Sequence, residues 1–290
     1  MSNYVILTDS TTDFNEHMIK KLNIDVIPLK FNIGGKSYPD YIDRKDLKIK
    51  EFYNKLRHGE ISRTSQINPE DFTEVFRHHL ETQKDILYIA FSSGLSNTYF
   101  SACTTAKELK TDFPDRKIII IDSLCASLGE GLLVYLAAIE KQKGADIESL
   151  SKWIETKKKS ICHLFTVDDL HYLKRGGRIS ATSAFFGSLL HIKPLLHVDN
   201  NGKLMLIGKA RGRKKAISTI LGAMEKHGTS LETQEIFISH GDCEDDANYI
   251  ADLIKSRFGV KNIFINAIGP VIGSHSGPGT LAVFFIGNER

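Results

Sequence analysis

The chain has 290 residues, 41% of them hydrophobic and 25% charged, with a formal net charge of +3. That is the composition of an ordinary soluble globular protein, long enough for one large α/β domain or two ordinary ones. The small positive excess does not by itself point to nucleic acid or a membrane. The four cysteines, Cys103, Cys125, Cys162 and Cys243, include no C-x-x-C pair. No zinc site is expected from them, and free thiols in a reducing cytoplasm are. The chain does not open on a basic segment followed by an apolar run, and no stretch approaches the ~20 apolar residues of a membrane span. A cytoplasmic protein without a metal site is expected.

In chain order, residues 4–8 (YVILT) read as a first strand. Asp9, Ser10, Thr11, Thr12 and Asp13 follow as a polar strand-end loop, in which Thr12 or Asp13 can cap the next helix. Capping alone explains these residue types. Ligand contact by Asp9 and Ser10 is the alternative. Residues 25–33 read as another strand, with Pro28 favouring an edge, and Gly34-Gly35 as a turn. A helix carries Ile49, Phe52, Tyr53 and Leu56 on one face. Residues 62–69 (SRTSQINP) read as a polar loop before a helix starting near Glu70.

Residues 88–102 (YIAFSSGLSNTYFSA) form the most informative stretch. A buried strand breaks into Ser92, Ser93, Gly94, Leu95 and Ser96, and a helix follows from Asn97. Open α/β sheets bind ligands beyond the carboxyl ends of their strands. Hydroxyls and free N–H groups at a helix N-terminus suit a carboxylate or phosphate. A cap explains one polar residue there, but not three serines and a glycine. Residues 117–122 (KIIIID) are apolar on both faces, which predicts the interior of a parallel sheet. A helix over 127–142 ends at Gly144. The repeated order of strand, polar turn and helix predicts a mostly parallel α/β domain. The boundary is placed to give residues 1–158 and a second α/β domain, 159–290.

In the second part, residues 163–167 read as a strand and LKRGGRIS places Arg175 and Arg178 around two glycines. Residues 184–196 (AFFGSLLHIKPLL) are strongly apolar, as core or as the wall of a cavity, with Phe185, Phe186, Leu189 and Leu190 assigned to core. Asn200-Asn201-Gly202 between apolar runs predicts a hairpin. Residues 209–215 hold five basic residues in seven. Nucleic acid, an acidic protein and plain solvation are all readings of such a cluster. No aromatic residue interleaves with it, so base stacking is unsupported. Strands follow at 235–239 and 262–267, with a helix between. Residues 268–279 hold four glycines and two prolines around His275, which predicts an unusual backbone that aims the imidazole.

LTDSTTD, RTSQINPE, FSSGLSNTY, DSLCASLGEG, DDLHYLKRGGRIS, KPLL and GPVIGSHSGPG occur in that order along the whole chain. This succession resembles the DegV family of bacterial fatty-acid-binding proteins, several of which are the acyl-carrying subunit of fatty acid kinase. The resemblance implies two α/β domains with a ligand tunnel between them and no cofactor beyond a bound long-chain fatty acid. It implies that hydroxyls of Thr64 or Ser65, and of Ser93 or Ser96, hold the carboxylate, with Arg178 and His275 close by or orienting the hydroxyls. Two departures are visible: Pro69 comes two residues later than in the family's T-S-Q-P, and Asn97 replaces a glycine. Neither removes a hydroxyl. Because the family member is the carrier and this chain has neither a P-loop nor a kinase signature, the ATP-binding subunit is expected to be a separate protein. Arg211, Arg213, Lys214 and Lys215 are the candidate docking surface for it, or for an anionic membrane surface during acyl exchange. Nucleic acid is not expected. The rival readings are a serine-based hydrolase, unsupported by any G-x-S-x-G, and a phosphosugar-binding enzyme using the same strand-end loops.

Overall fold

The computed structural model describes residues 3–179, 192–288 and 290. The fully buried β1 (Tyr4–Asp9) leads through a single 3-10 turn into α1 (Glu16–Leu22), and β2 (Asp25–Ile27) returns beside β1. The predicted strand over 25–33 is in fact two. Pro28 has no N–H to give a ladder, and after it β3 (Lys30–Ile33) joins a separate antiparallel sheet with β4 (Lys36–Pro39) and β5 (Arg63–Ser65). Helix α2 (Ile49–Arg57) buries Phe52, Tyr53 and Leu56 beneath that small sheet.

Thr64 and Ser65 therefore sit on an edge strand and not in the expected loop. The late Pro69 has a physical account. Asn68 accepts the Asp71 N–H at 2.7 Å and Pro69 occupies the first turn, so the Asn-Pro pair starts α3 (Pro69–Glu81).

Next come β6 (Asp85–Ala90), α4 (Thr98–Asp112), β7 (Ile118–Asp122), α5 (Leu128–Gln142) and α6 (Ile147–Lys157). The first sheet has the order β2-β1-β6-β7, and its neighbours are all parallel. β7 is an edge strand and not an interior one. Its continuous isoleucines are explained by α4 and α6, both of which contact it.

A second sheet begins at β8 (Ile161–Thr166), followed by the short α7 (His171–Arg175). It continues through β9 (Ile192–Val198), β10 (Leu204–Arg211), α8 (Arg213–His227), β11 (Glu235–His240), α9 (Glu244–Phe258), β12 (Asn262–Ala267), α10 (Pro270–Ser276) and β13 (Leu281–Ile286). Its order is β10-β9-β8-β13-β11-β12, with only β11–β12 parallel. The Asn-Gly segment closes the β9–β10 hairpin as predicted. The glycine-rich closing segment departs from expectation. Pro270 supplies a helical start, α10 forms, and only Gly277 and Gly279 beyond it take positive φ.

Helix α5 lies between the two large sheets. Its apolar residues share one core with Ile6, Leu87 and Ile89 of the first sheet and with Phe237 and Phe284 of the second. Such a helix is apolar nearly all round. It approaches β8 so closely that a Cβ on Gly129 would overlap the imidazole of His163.

Candidate functional site

The second sheet forms one wall of a cavity of about 620 Å³. His163 and Phe165 of β8, Ala282 and Phe284 of β13 and Ser239 of β11 line it, at the two-residue spacing that puts side chains on one face. The opposite wall comes from the first half: β5, the loop after β6 and the turn before α5, with α10 along the side. The site thus lies between the two halves. Thr64, Ser65, Ser93, Ser96, Arg178 and His275 all line it.

The polar end is built around α10. His275 Nε2 lies 2.7 Å from Thr64 Oγ1. Burial, with Arg178 and Arg175 nearby, pushes the imidazole pKa down to about 4, so His275 is neutral at neutral pH. The tautomer follows from the accounting. Among the described residues the buried His275 Nδ1 has no hydrogen-bond partner. An orphaned lone pair there costs less than an orphaned N–H. The ring hydrogen is therefore on Nε2 and is donated to Thr64 Oγ1, which frees the threonine hydrogen for a ligand. Gly176 permits this geometry, since a Cβ on it would overlap His275 Nδ1.

Arg178 is a clasp. Its Nε donates to Leu95 O at 3.2 Å and its guanidinium also bonds Gly176 O, tying the RGGR turn to the serine loop. Burial lowers its pKa, without removing the charge.

The loop after β6 supplies hydroxyls and few free N–H groups. The Ser92, Leu95 and Ser96 N–H groups bond backbone carbonyls. The Ser93 N–H goes to Asp122 Oδ1, the Gly94 N–H to Ser92 Oγ and the Thr98 N–H to Ser96 Oγ. The expected bed of free N–H groups is thus largely consumed in closing the turn. Ser96 combines capping with its place in the wall.

The other strand-end loop does not reach the cavity. Asp9 is fully buried. It accepts from Tyr88 Oη at 2.8 Å, the Phe91 N–H at 3.0 Å and the Thr11 N–H at 3.0 Å. Ser10 Oγ accepts the Leu29 N–H. Neither lines the cavity, and both are structural.

Sequence reasoning did not single out three serines. Ser276, beside His275, lines the cavity with its hydroxyl buried and unpartnered among the described residues. Ser127 and Ser239 line it too, with their hydroxyls 2.9 Å apart. Ser276 was visible within GSHSGPG. Ser239, in an apolar strand, carried no signal.

Of the basic cluster, Arg211, Lys214 and Lys215 are exposed. Arg213 turns inward, with Nε 2.8 Å from Asp246 and the guanidinium 3.8 Å from Asp168, so it is committed to the fold. Phe185, Phe186, Leu189 and Leu190 fall outside the described residues. Among the described residues no group of acids, histidines and cysteines could hold a metal, and no helix is long and apolar enough to cross a membrane.

Comparison with known proteins agrees with this architecture. The model of the DegV family, described as uncharacterised proteins, matches residues 3–288. The chain belongs to the DegV family. A DegV domain-containing protein of Clostridium perfringens is 47% identical over 290 residues, covering 100% of this chain and 99% of the relative. A Thermotoga maritima structure described as revealing a fatty acid binding function aligns with TM-score 0.86 at 31% identity, over 99% of this chain and 100% of that one. A Thermus thermophilus DegV-family structure, described by its fatty acid binding, aligns with TM-score 0.86 at 32% identity, over 98% and 99%.

Proposed function

We propose that this DegV-family protein binds one long-chain fatty acid in the cavity between its halves and presents the carboxylate to a separate fatty acid kinase. The observation that carries the reading is the asymmetry of the cavity. At one end Thr64 is bonded to His275, and Arg178 is tied to the loop that carries Ser93 and Ser96, while Leu29, Phe165, Leu173, Val198, Ile272 and Phe284 give apolar lining. Burying an acyl chain is favourable by ~0.8 kcal/mol per CH₂. A carboxylate taken from water needs several donors, and Thr64, Ser93 and Ser96 provide hydroxyls while Arg178 supplies positive potential. The Thermotoga and Thermus relatives, described as fatty-acid binders, support the ligand class.

The kinase partnership rests on a more distant likeness. A Streptococcus pneumoniae protein named as the fatty acid kinase B3 protein and loaded with linoleic acid aligns with TM-score 0.86 at 22% identity. Arg211, Lys214 and Lys215 form the proposed docking face for an acidic surface of the kinase subunit, and an anionic membrane would meet the same charges. A serine hydrolase fits less well, because a catalytic base is oriented by a third group and among the described residues His275 Nδ1 has none.

Titration of the delipidated protein with oleate tests the ligand. The expected result is saturation at one oleate per chain, weakened about tenfold or more in Thr64→Val. No saturable uptake would refute it. Adding an ATP-binding fatty acid kinase subunit then tests the role: acyl phosphate should form only with both proteins present.

A further inference from the structure

Where the turn before α5 faces β11, the cavity lining holds a second polar group. Ser127 donates its hydroxyl hydrogen to the fully buried Asp13, and Ser127 Oγ is 2.9 Å from Ser239 Oγ. Asp13 is itself fixed from the other side, accepting the Gly269 N–H at 2.7 Å. The three form a chain of hydrogen bonds, Asp13–Ser127–Ser239, whose two serines line the cavity.

Its position follows from α10. Asp13 grips Gly269, just before the helix, and His275 lies six residues further on. At 1.5 Å per residue that is about 9 Å. The Asp13 end of the chain of hydroxyls is thus nearly two turns of α10 away from His275.

The chemistry follows from counting. With Asp13 ionised, Ser127 donates to it, Ser239 donates to Ser127, and Ser239 Oγ ends the chain with unused lone pairs. With Asp13 protonated the chain reverses, and Ser239 ends it with an unused hydrogen. Burial pushes the Asp13 pKa up to about 7, so both states are accessible at neutral pH. A hydroxyl group satisfies either ending, since it both donates and accepts, whereas a bare carbonyl satisfies only the second. Ala282, directly opposite Ser239 on β13, leaves room beside it. The neighbouring His163 cannot serve, because its ring is used on both sides, by Ile161 O and the Ala126 N–H.

We propose that Ser239, backed by Ser127 and Asp13, is a second recognition point of the cavity that accepts a hydroxyl on the middle of the acyl chain. Hydroxy fatty acids are then ligands of this protein in their own right. The inference rests on the fatty-acid reading above.

The test compares octadecanoic acid with hydroxyoctadecanoic acids carrying the hydroxyl near the carboxylate, at mid-chain or at the methyl end. Each is titrated into the wild-type protein and into Ser239→Ala. In the wild type the mid-chain isomer is expected to bind best of the three hydroxy acids. In Ser239→Ala its affinity relative to octadecanoic acid is expected to fall by about tenfold, the worth of one buried hydrogen bond. The wild-type series stands alone if the variant does not fold. Equal weakening at every hydroxyl position, or a mid-chain preference that survives in Ser239→Ala, overturns the inference and leaves the fatty-acid reading intact. Failure of octadecanoic acid itself to bind overturns both.

Discussion

The loop after β1 and the loop after β6 carry similar residue types at equivalent ends of neighbouring strands. Their polar groups are spent differently. In the first, Asp9 holds Tyr88, Phe91 and Thr11, Ser10 holds Leu29, and Thr11 reaches the fully buried Glu130 at 2.7 Å. In the second, the N–H groups close the turn while Ser93 and Ser96 stand in the cavity wall. What separates structure from function here is the count of partners, not the residue types. A buried polar group with all its partners in the protein is part of the scaffold. One with capacity left over, beside a cavity, has it for something else.

The largest expected effect comes from breaking the scaffold loop. Asp9→Ala leaves the Tyr88 hydroxyl and the Phe91 N–H buried without an acceptor, and should cost about 3 kcal/mol or more in urea unfolding. The mirror experiment is Ser93→Ala, which should weaken oleate binding about tenfold while leaving the urea midpoint nearly unchanged. If Ser93→Ala destabilised the protein as much as Asp9→Ala, the distinction between the loops would be lost.

Gly176→Ala sharpens the ligand side. Its methyl group must displace His275, which should release Thr64 and weaken oleate binding, at a stability cost of about 1–3 kcal/mol for overpacking. A crystal structure of the variant should show the His275–Thr64 bond broken. Unchanged binding would show that His275 does not orient Thr64.

Asp13 belongs to both sides, and its titration gives a pH signature. Its folded pKa is about 7, raised from 3.8 by burial. Below about pH 4 both folded and unfolded states are protonated, and the contribution to stability is fully present. Between there and about pH 7 the unfolded chain releases the proton while the folded one keeps it, so stability falls as pH rises, then levels off. Asp13→Asn should reduce that decline in urea midpoints measured across this range. It should not abolish it, because burial also raises the pKa values of Asp9, Asp40 and Glu130.

The smallest effect lies on the surface. Lys214→Ala with Lys215→Ala should move stability by less than about 0.5 kcal/mol while slowing association with an acidic kinase subunit at low salt. Arg213→Ala should instead cost stability, because it strips Asp246 of its partner.

Much of the fold was legible in local pattern: the buried strands, the α5 helix and the Asn-Gly hairpin each follow from period and turn chemistry. The misreadings share one cause. Residues 25–33 look like one strand because periodicity does not register that Pro28 hands the chain to another sheet. β7 looks interior because helices on both faces give an edge strand the same isoleucine run. The cavity-lining hydroxyls of Thr64, Ser93 and Ser96 were legible through motifs, whereas that of Ser239 was not, because its hydrogen-bond partners, Ser127 and through it Asp13, lie far away in sequence. Asp9 and Ser10 stayed ambiguous because a residue type does not reveal whether its hydrogen bonds are already made.

The central claim, that the hydroxyls around Thr64 hold the carboxylate of an acyl chain, is tested most directly by native mass spectrometry of the protein as purified, followed by extraction and identification of the bound species. One fatty acid per chain, lost from a Thr64→Val, Ser93→Ala double variant that unfolds at the wild-type urea midpoint, is the predicted result. An empty protein that also refuses added oleate, or a double variant that retains the fatty acid in full, would contradict it.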